Sequence, residues 1–401
     1  MSESKYLSRH ALYPRLIEGG PDDVSIIVVV PSFNEVSIED LLESLDSSKK
    51  IDEVVEVIIV VNESSEVDQY ISQVNQSTVN SIHRFRASKN PWFALHVLYM
   101  KELPPKHAGV GLARKIGMDE ACRRLSAEGV IVCLDADCKV EENYFVAIQS
   151  HFTDKKVKAS AIHYEHPLSG DLESGCYDAI IEYELHLRYY IDMQRRINLP
   201  YAYHTVGSSM AVRKEVYEAV GGMNKRKAGE DFYFIQKLIK HGGFSNCAST
   251  TVYPSPRTSD RVPFGTGKAI NDLLLTTNTG FLTYPPEAFN LVQSFINDCL
   301  TFYASDVVSI SNELKSWSLM NSLGERLHEI RTHSTDRASY TKRFYNWFDG
   351  FILMKMLHHL KENQYPLIPV IEATTKVNPN LKGRDGRSIL EHYRKMDRTD
   401  I

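Results

Sequence analysis

Cysteine is scarce and scattered. The 401-residue chain has six, at positions 122, 133, 138, 176, 247 and 299, and no two form a Cys-x-x-Cys pair. This spacing excludes a zinc ribbon or a disulfide framework and suits reduced thiols in a core. Long apolar runs are missing as well. The strongest, around Val24–Val30 and Phe351–Leu357, fall far short of the roughly 20 residues of a membrane-spanning helix. The amino terminus, Met-Ser-Glu-Ser-Lys-Tyr-Leu-Ser-Arg-His, is polar and lacks the apolar stretch of a secretory signal. The expectation is therefore a cytoplasmic protein with no integral membrane segment. There is no excess of positive charge: 46 basic against 51 acidic residues leave a net −5. With no basic block either, nucleic acid is not the expected partner. Internal repeats and low-complexity tracts are absent too.

What remains is an ordinary globular composition, 43% hydrophobic and 24% charged, long enough for one large or two medium domains. Residues 1–23 read as a polar leader that breaks at Gly19-Gly20-Pro21. Strands and helices then alternate. Apolar strands are expected at Val24–Pro31, Val54–Val61, Leu95–Met100 and Val130–Leu134. Helices are expected at Ser37–Ser48, Glu66–Gln76, Gly109–Leu125 and 141–151. Unbroken β-branched runs separated by helices predict a mostly parallel sheet covered on both faces. Beyond Lys155 the pattern loosens. Strands are expected at Lys158–Tyr164, Ser208–Val212 and Cys247–Tyr253, and helices at Glu173–Ile197 and Asp231–Lys240, the latter ending at His241-Gly242-Gly243. From about Pro285 only helical patterns occur: Ala288–Tyr303, Ser305–Ile330, Ala338–Leu360 and Ile389–Met396. The expected organisation is a leader (1–23), an α/β domain (24–260), and a lid loop with a helical C-terminal region (261–401).

The sequence Val130-Ile-Val-Cys-Leu-Asp-Ala-Asp137 ends a buried strand in two carboxylates one residue apart. Open α/β sheets place their ligand crevice at strand ends. Asp135 and Asp137 there suit a hard divalent cation bridging to a phosphate-bearing substrate, although Asp also favours plain turns. Four further segments accompany this one. They are Val28-Val-Val-Pro-Ser-Phe-Asn-Glu35, Val60-Val-Asn-Glu-Ser-Ser-Glu-Val-Asp68, Gly109-Val-Gly-Leu-Ala-Arg-Lys-Ile-Gly117, and Val206-Gly-Ser-Ser-Met-Ala-Val-Arg213 with the later Gly229-Glu-Asp-Phe-Tyr233.

Read together over residues 24–260, these segments resemble a family-2-type glycosyltransferase of the GT-A fold, a Rossmann-like α/β architecture. The resemblance implies a nucleotide-diphosphate sugar as donor and a hydroxyl acceptor, saccharide or lipid-linked, the latter met at the inner membrane face. It implies Mg²⁺ or Mn²⁺ on Asp137 and Asp135, with Asp135 also toward the ribose or sugar. Pro31, Asn34, Glu35 and Asn62 would meet the nucleoside; Asn62-Glu63 stands where the family has an Asp-rich turn. Pro31 and Asn34 also suit a plain strand end and helix cap. Gly109, Gly111, Arg114 and Lys115 open a helix whose amides and cations favour a diphosphate. Gly207, Ser208 and Ser209 would line the acceptor pocket. Arg257 and Arg261 would clamp the diphosphate from the lid loop. Asp231 would be the general base of an inverting displacement, with Glu230 orienting it, against a plain helix-capping role for both. Asp260 is the remaining ligand candidate, with His163, His166 and His204 more remote and each reading nearer to a structural or acceptor-side role. The Tyr183, Tyr189 and Tyr190 face reads as core. The helical region is expected to shape the acceptor site or a homo-oligomer interface.

Two rival readings stand beside this one. A nucleotidyltransferase acting on a sugar phosphate would carry a Gly-rich loop after its first strand, where this chain has Ser32-Phe33-Asn34-Glu35. A non-catalytic nucleotide-sugar binder would have no need of the two acidic pairs.

Overall fold

In the computed structural model, residues 4–21, 23–261, 265–275 and 280–399 are described. Residues 262–264 of the expected lid loop lie outside them, as do residues 1–3 and 22 of the expected leader.

Eight strands form one sheet: Val24–Ser32 (β1), Val55–Ser64 (β2), Ala94–Leu103 (β3), Leu125–Cys133 (β4), Lys139–Val140 (β5), Ala159–Tyr164 (β6), Met210–Arg213 (β7) and Phe244–Tyr253 (β8). Their order is β3-β2-β1-β4-β7-β6-β8-β5. The β-branched runs behave as their composition dictates. β1 lies between β2 and β4, parallel to both, with Val29 opposite Ile58 and Cys133. β1 and β2 are buried on both faces along nearly their whole length. β7 runs antiparallel to β4 and β6, which makes the sheet mixed. Pro31 sits inside β1, yet the pairing with β4 ends at Val29, so its missing N–H interrupts no ladder on that side.

The helices are Lys5–His10 (α1), Ile38–Asp46 (α2), Gln69–Lys89 (α3), Val110–Arg124 (α4), Tyr144–His151 (α5), Ser174–Arg196 (α6), Lys214–Ala219 (α7), Glu230–His241 (α8), Thr266–Leu275 (α9), Pro286–Ser305 (α10), Lys315–Met320 (α11), Leu323–Thr332 (α12), Arg337–Trp347 (α13), Gly350–Asn363 (α14), Val370–Val377 (α15) and Gly386–Thr399 (α16). The α/β alternation and the helical C-terminal region are both as expected. α4 is the pivot of the first half, with every residue from Gly111 to Cys122 buried. Gly117 lets it come close to the sheet: a Cβ there would lie 2.5 Å from Val29 Cγ1 and 3.1 Å from Val60 Cγ2.

Two compact units result. One runs up to Tyr177, resumes over Thr205–Asn271 and includes the chain from Met396 on; the other comprises Asp178–His204 and Asp272–Lys395. The second unit is held by an aromatic core that includes Phe289, Phe295, Phe344 and Phe348, all buried. The buried Glu184 carboxylate accepts hydrogen bonds there from Arg188 (2.8 Å) and Arg394 (2.7 Å). Tyr189 is buried and donates to the carbonyl oxygen of Tyr284 (2.8 Å), consistent with its reading as core.

Four expectations need correction, the first being that α3 begins at Gln69 and runs to Lys89 instead of spanning Glu66–Gln76. The leader is tied down at a few points: Tyr6, Leu7 and Ile17 are buried, and the Leu16 and Ile17 amides donate to the buried Glu120 carboxylate (3.1 Å each), while most of its described residues are exposed. The single helix expected over Ser305–Ile330 is broken. Asp306 ends α10 in the left-handed region, and Ser322 (φ +47°) separates α11 from α12. Likewise Ala338–Leu360 is two helices, because Asp349 accepts from the Phe351 and Ile352 amides (3.0 and 3.1 Å) and starts α14 afresh.

Candidate active site

The ends of β1 and β4 and the starts of α4 and α8 bring the acidic motifs together. After β4 the Leu134 amide donates to the Val29 carbonyl oxygen (3.1 Å), and the Cys138 amide closes a turn onto that of Asp135 (3.1 Å). That turn leaves Asp135 and Asp137 partly exposed beside β1.

Arg114, in the first turns of α4, is buried, and its guanidinium donates to both Asp135 and Glu230. Its Nε has no partner among the described residues. Gly207 makes room for this side chain, since a Cβ there would stand 2.5 Å from Arg114 Nη1. Glu230 and Asp231 open α8, directly after Gly229 in the left-handed region. The Asp231 carboxylate accepts from the Phe232 amide (2.7 Å) and from that of Gly207. Burial pushes the pKa of Asp231 above the usual carboxylate range, and Asp135 adds to this, while Arg114 and the two amides oppose it. Glu230 is pushed up too, by burial and by Asp231, against the pull of Arg114. Burial, with Asp231 and Glu230 side by side, outweighs the pull of Arg114, which is why these two acids hold their protons more tightly than in water.

A second bridge lies on the other side of the turn. Arg257 donates through Nη1 to the buried Glu35 (3.0 Å), with Nη2 also engaged, and through Nε to Asp137 Oδ2 (3.1 Å). Arg261 donates to the Phe33 carbonyl oxygen (2.8 Å) and lies 3.8 Å from Glu35. The loop after β8 is thereby stitched to the end of β1. Burial raises the pKa of Asp137, and the nearby Asp135 and Glu35 raise it further, against Arg257 and Arg261.

Asn34 has φ +51°, and its amide donates to Asn75 Oδ1 (2.9 Å). Asn62 is buried. The neighbouring Glu63 accepts from Tyr99 (2.7 Å), Asn75 (3.2 Å) and Ser72 (3.3 Å). Asn75, Ser72 and Tyr99 were not legible as site residues. Only the pairing of β2 with β3 and the placement of α3 bring them to the Asn62-Glu63 turn. The one available signal was Asn75, a polar residue on the buried side of α3. Gly109 precedes α4, where a Cβ would come within 3.1 Å of the Lys227 Cα. Ser208 and Ser209 are buried at the start of β7, and the Ser209 hydroxyl has no partner among the described residues.

Two of the expected diphosphate-binding cations already have carboxylate partners. Arg114 is committed to two carboxylates and is not presented as a free cation for a diphosphate. Lys115 is buried away from the acidic turn, paired with Asp119 (2.9 Å) and donating to Tyr6 (3.0 Å). Among the other ligand candidates, Asp260 accepts from Asn271 (3.0 Å) and His163 pairs with Glu165 (2.9 Å). Among the described residues no group of three or more His, Cys, Asp and Glu side chains is gathered as a metal cage. The hard carboxylate oxygens of Asp135 and Asp137 nonetheless suit a cation such as Mg²⁺ or Mn²⁺, which takes one or two carboxylates and completes its shell with substrate phosphate and water.

No helix among the described residues is long and apolar enough to cross a membrane. No family model matches the chain, and no curated protein matches it. Among solved structures it is similar to residues 1–349 of S. aureus TarS in complex with UDP-GlcNAc, at 12% identity and TM-score 0.41, over 93% of this chain and 90% of that one. The same fragment in complex with UDP gives 12% identity and TM-score 0.40, over 93% and 92%. The longer S. aureus TarS chain gives 12% and 0.39, over 93% and 55%. At this distance the likeness assigns neither family nor activity.

Proposed function

We propose that this chain is a GT-A-type glycosyltransferase that moves a hexosyl group from a nucleotide-diphosphate sugar to an acceptor hydroxyl. The observation that carries the reading is the Arg114 cluster, in which Asp135 from the strand-end turn and Glu230 from α8 share one buried guanidinium with Asp231 alongside. A helix cap alone needs no buried arginine and no acid from a second element.

In this mechanism Asp231 is the base. Its raised proton affinity suits it to take the acceptor hydroxyl proton as that oxygen bonds to the anomeric carbon. The bond from that carbon to the diphosphate oxygen breaks in the same step, the diphosphate leaves with the electron pair, and configuration inverts. Glu230 and Arg114 fix the position of Asp231. Arg257 and Arg261 are within reach of Glu35 and the strand-end turn, where they contact the diphosphate once the donor is bound. Asp135 and Asp137 would hold a divalent cation, which supplies charge compensation for the departing diphosphate. Asn34, Asn62 and the Glu63 network form the nucleoside end, and Gly207, Ser208 and Ser209 the acceptor side.

The nucleotidyltransferase reading is weaker on this geometry. The segment after β1 carries a buried Glu35 locked onto Arg257 and no glycine-rich phosphate cradle. The test is a thermal-shift series with UDP, GDP, CDP, dTDP and ADP, each with and without Mg²⁺ or Mn²⁺, on the wild type and on Asp137→Ala. Metal-dependent stabilisation by one nucleotide, lost in the variant, is expected. Stabilisation by none of the five would overturn the donor assignment.

A further inference from the structure

The helical unit carries an open groove of about 470 Å³ at α12 and α13, lined by Arg326, Glu329, His333, Arg343, Asn346 and Trp347 above the buried Ile330. Its size falls in the ordinary range for small-molecule sites, roughly 300–1,000 Å³. None of these residues belongs to the acidic site described above.

The groove's polar groups are not alike. Arg326 is neutralised by Glu329 at 2.6 Å. Arg343 is exposed and has no carboxylate or hydrogen-bond partner among the described residues. His333 Nδ1 lies 2.9 Å from the Glu329 carbonyl oxygen. A carbonyl only accepts, so Nδ1–H is the donor of that bond and Nε2 is left for a ligand. The Trp347 indole is half-buried and held in place by Phe344 (5.7 Å) and Phe348 (6.0 Å), which stack on each other at 5.7 Å. Asn346 adds an exposed amide that both donates and accepts.

We infer that this groove binds a saccharide unit bearing an anionic substituent, a carboxylate or a phosphate. The C–H face of a pyranose packs on the fixed indole. Its hydroxyls find Asn346 and His333 Nε2, and the anion takes the free Arg343 guanidinium. A neutral sugar would leave Arg343 unused, and a bare anion would leave the aromatic face unused. The inference stands apart from the transferase reading, because the groove shares no residue with that site.

Calorimetric titration of the full chain tests it, with tetragalacturonate, glucose 6-phosphate, maltotetraose and inorganic phosphate as probes. Either acidic saccharide should bind at least about tenfold more tightly than maltotetraose or phosphate. Arg343→Ala should weaken that binding about tenfold at unchanged Tm, since the side chain is exposed and unpaired. Trp347→Phe, which keeps an aromatic ring in place, should weaken it severalfold. Three results would overturn the inference: no saturable binding of either acidic saccharide, phosphate binding as tightly as glucose 6-phosphate, or Arg343→Ala binding unchanged.

Discussion

Asp231 is surrounded by groups that pull its proton in opposite directions. Burial and Asp135 favour the protonated acid, while Arg114 and two backbone amides favour the carboxylate. The first two prevail, so the side chain ionises at a higher pH than the about 3.9 of a free Asp. A base must be ionised to work. The acidic limb of kcat/KM should therefore lie above the range of an ordinary aspartate, with activity rising as pH rises through it. Glu230→Gln removes one negative neighbour and leaves Arg114 to serve the other two acids, so it should move that limb to lower pH. A pH–rate profile of the two proteins checks this, and a limb that stays fixed counts against the coupling. Gly207 belongs to the same argument. Gly207→Ala would place a methyl 2.5 Å from Arg114 Nη1, the end of a buried side chain bonded to Asp135 and Glu230. The guanidinium must move, and kcat should fall with it by about 10-fold or more, given how steeply catalysis depends on sub-ångström placement.

At the scale of elements, α4 shows how closely helix and sheet are fitted. Alanine is favoured over glycine in a helix by about 1 kcal/mol. At Gly117, however, the added methyl meets Val29 and Val60, both fully buried in adjacent strands. Overpacking of this kind costs about 1–3 kcal/mol, so Gly117→Ala should lower Tm, as measured by calorimetry. A rise in Tm would mean that α4 can lift off the sheet. The same elements explain what was legible in the sequence. β1, β2 and β4 announce themselves because strands buried on both faces must be unbroken apolar runs, and α8 because its apolar stripe ends at paired glycines. The sequence pattern fades at Gln76, although α3 runs to Lys89, because beyond that point its polar sequence carries only the thin stripe Thr78, Val79, Ile82 and Phe85. The breaks at Ser322 and Asp349 went unseen for another reason. Serine is not a usual left-handed residue, and an N-cap aspartate inside a long apolar periodicity looks like an ordinary polar-face position. In the site, Asp135, Asp137, Glu230 and Asp231 were legible because acids at element ends are conspicuous. The pairing of Arg114 with Asp135 and Glu230 was not, because it joins residues 21 and 116 positions apart.

At the scale of the whole molecule, the two units carry different chemistry. The sheet-containing unit brings Asp135, Glu230 and Asp231 to Arg114 at its strand ends, whereas the helical unit buries aromatic and ionic groups in its core. His186 marks this second character. Its Nδ1 lies 2.9 Å from Thr283 Oγ1 and its ring 4.7 Å from Phe281, and burial lowers its pKa to about 4. The unfolded chain protonates this histidine near pH 6.5, and the folded chain does not until about 4. Stability is thus fully present above pH 6.5, declines as pH falls toward 4, and then levels off. Discounted for the ring's partial exposure, the loss is on the order of 1–2 kcal/mol. His186→Gln should flatten this part of a Tm-versus-pH curve, and an unchanged slope would show that the ring is solvated.

In the proposed mechanism the Asp231 carboxylate at the start of α8 takes the acceptor proton. The most direct measurement compares nucleotide diphosphate released from saturating sugar nucleotide by the wild type and by Asp231→Asn, with donor affinity measured in parallel. A loss of about 10²–10⁴ in turnover with donor affinity nearly unchanged is expected. Turnover by Asp231→Asn at the wild-type rate would contradict this mechanism.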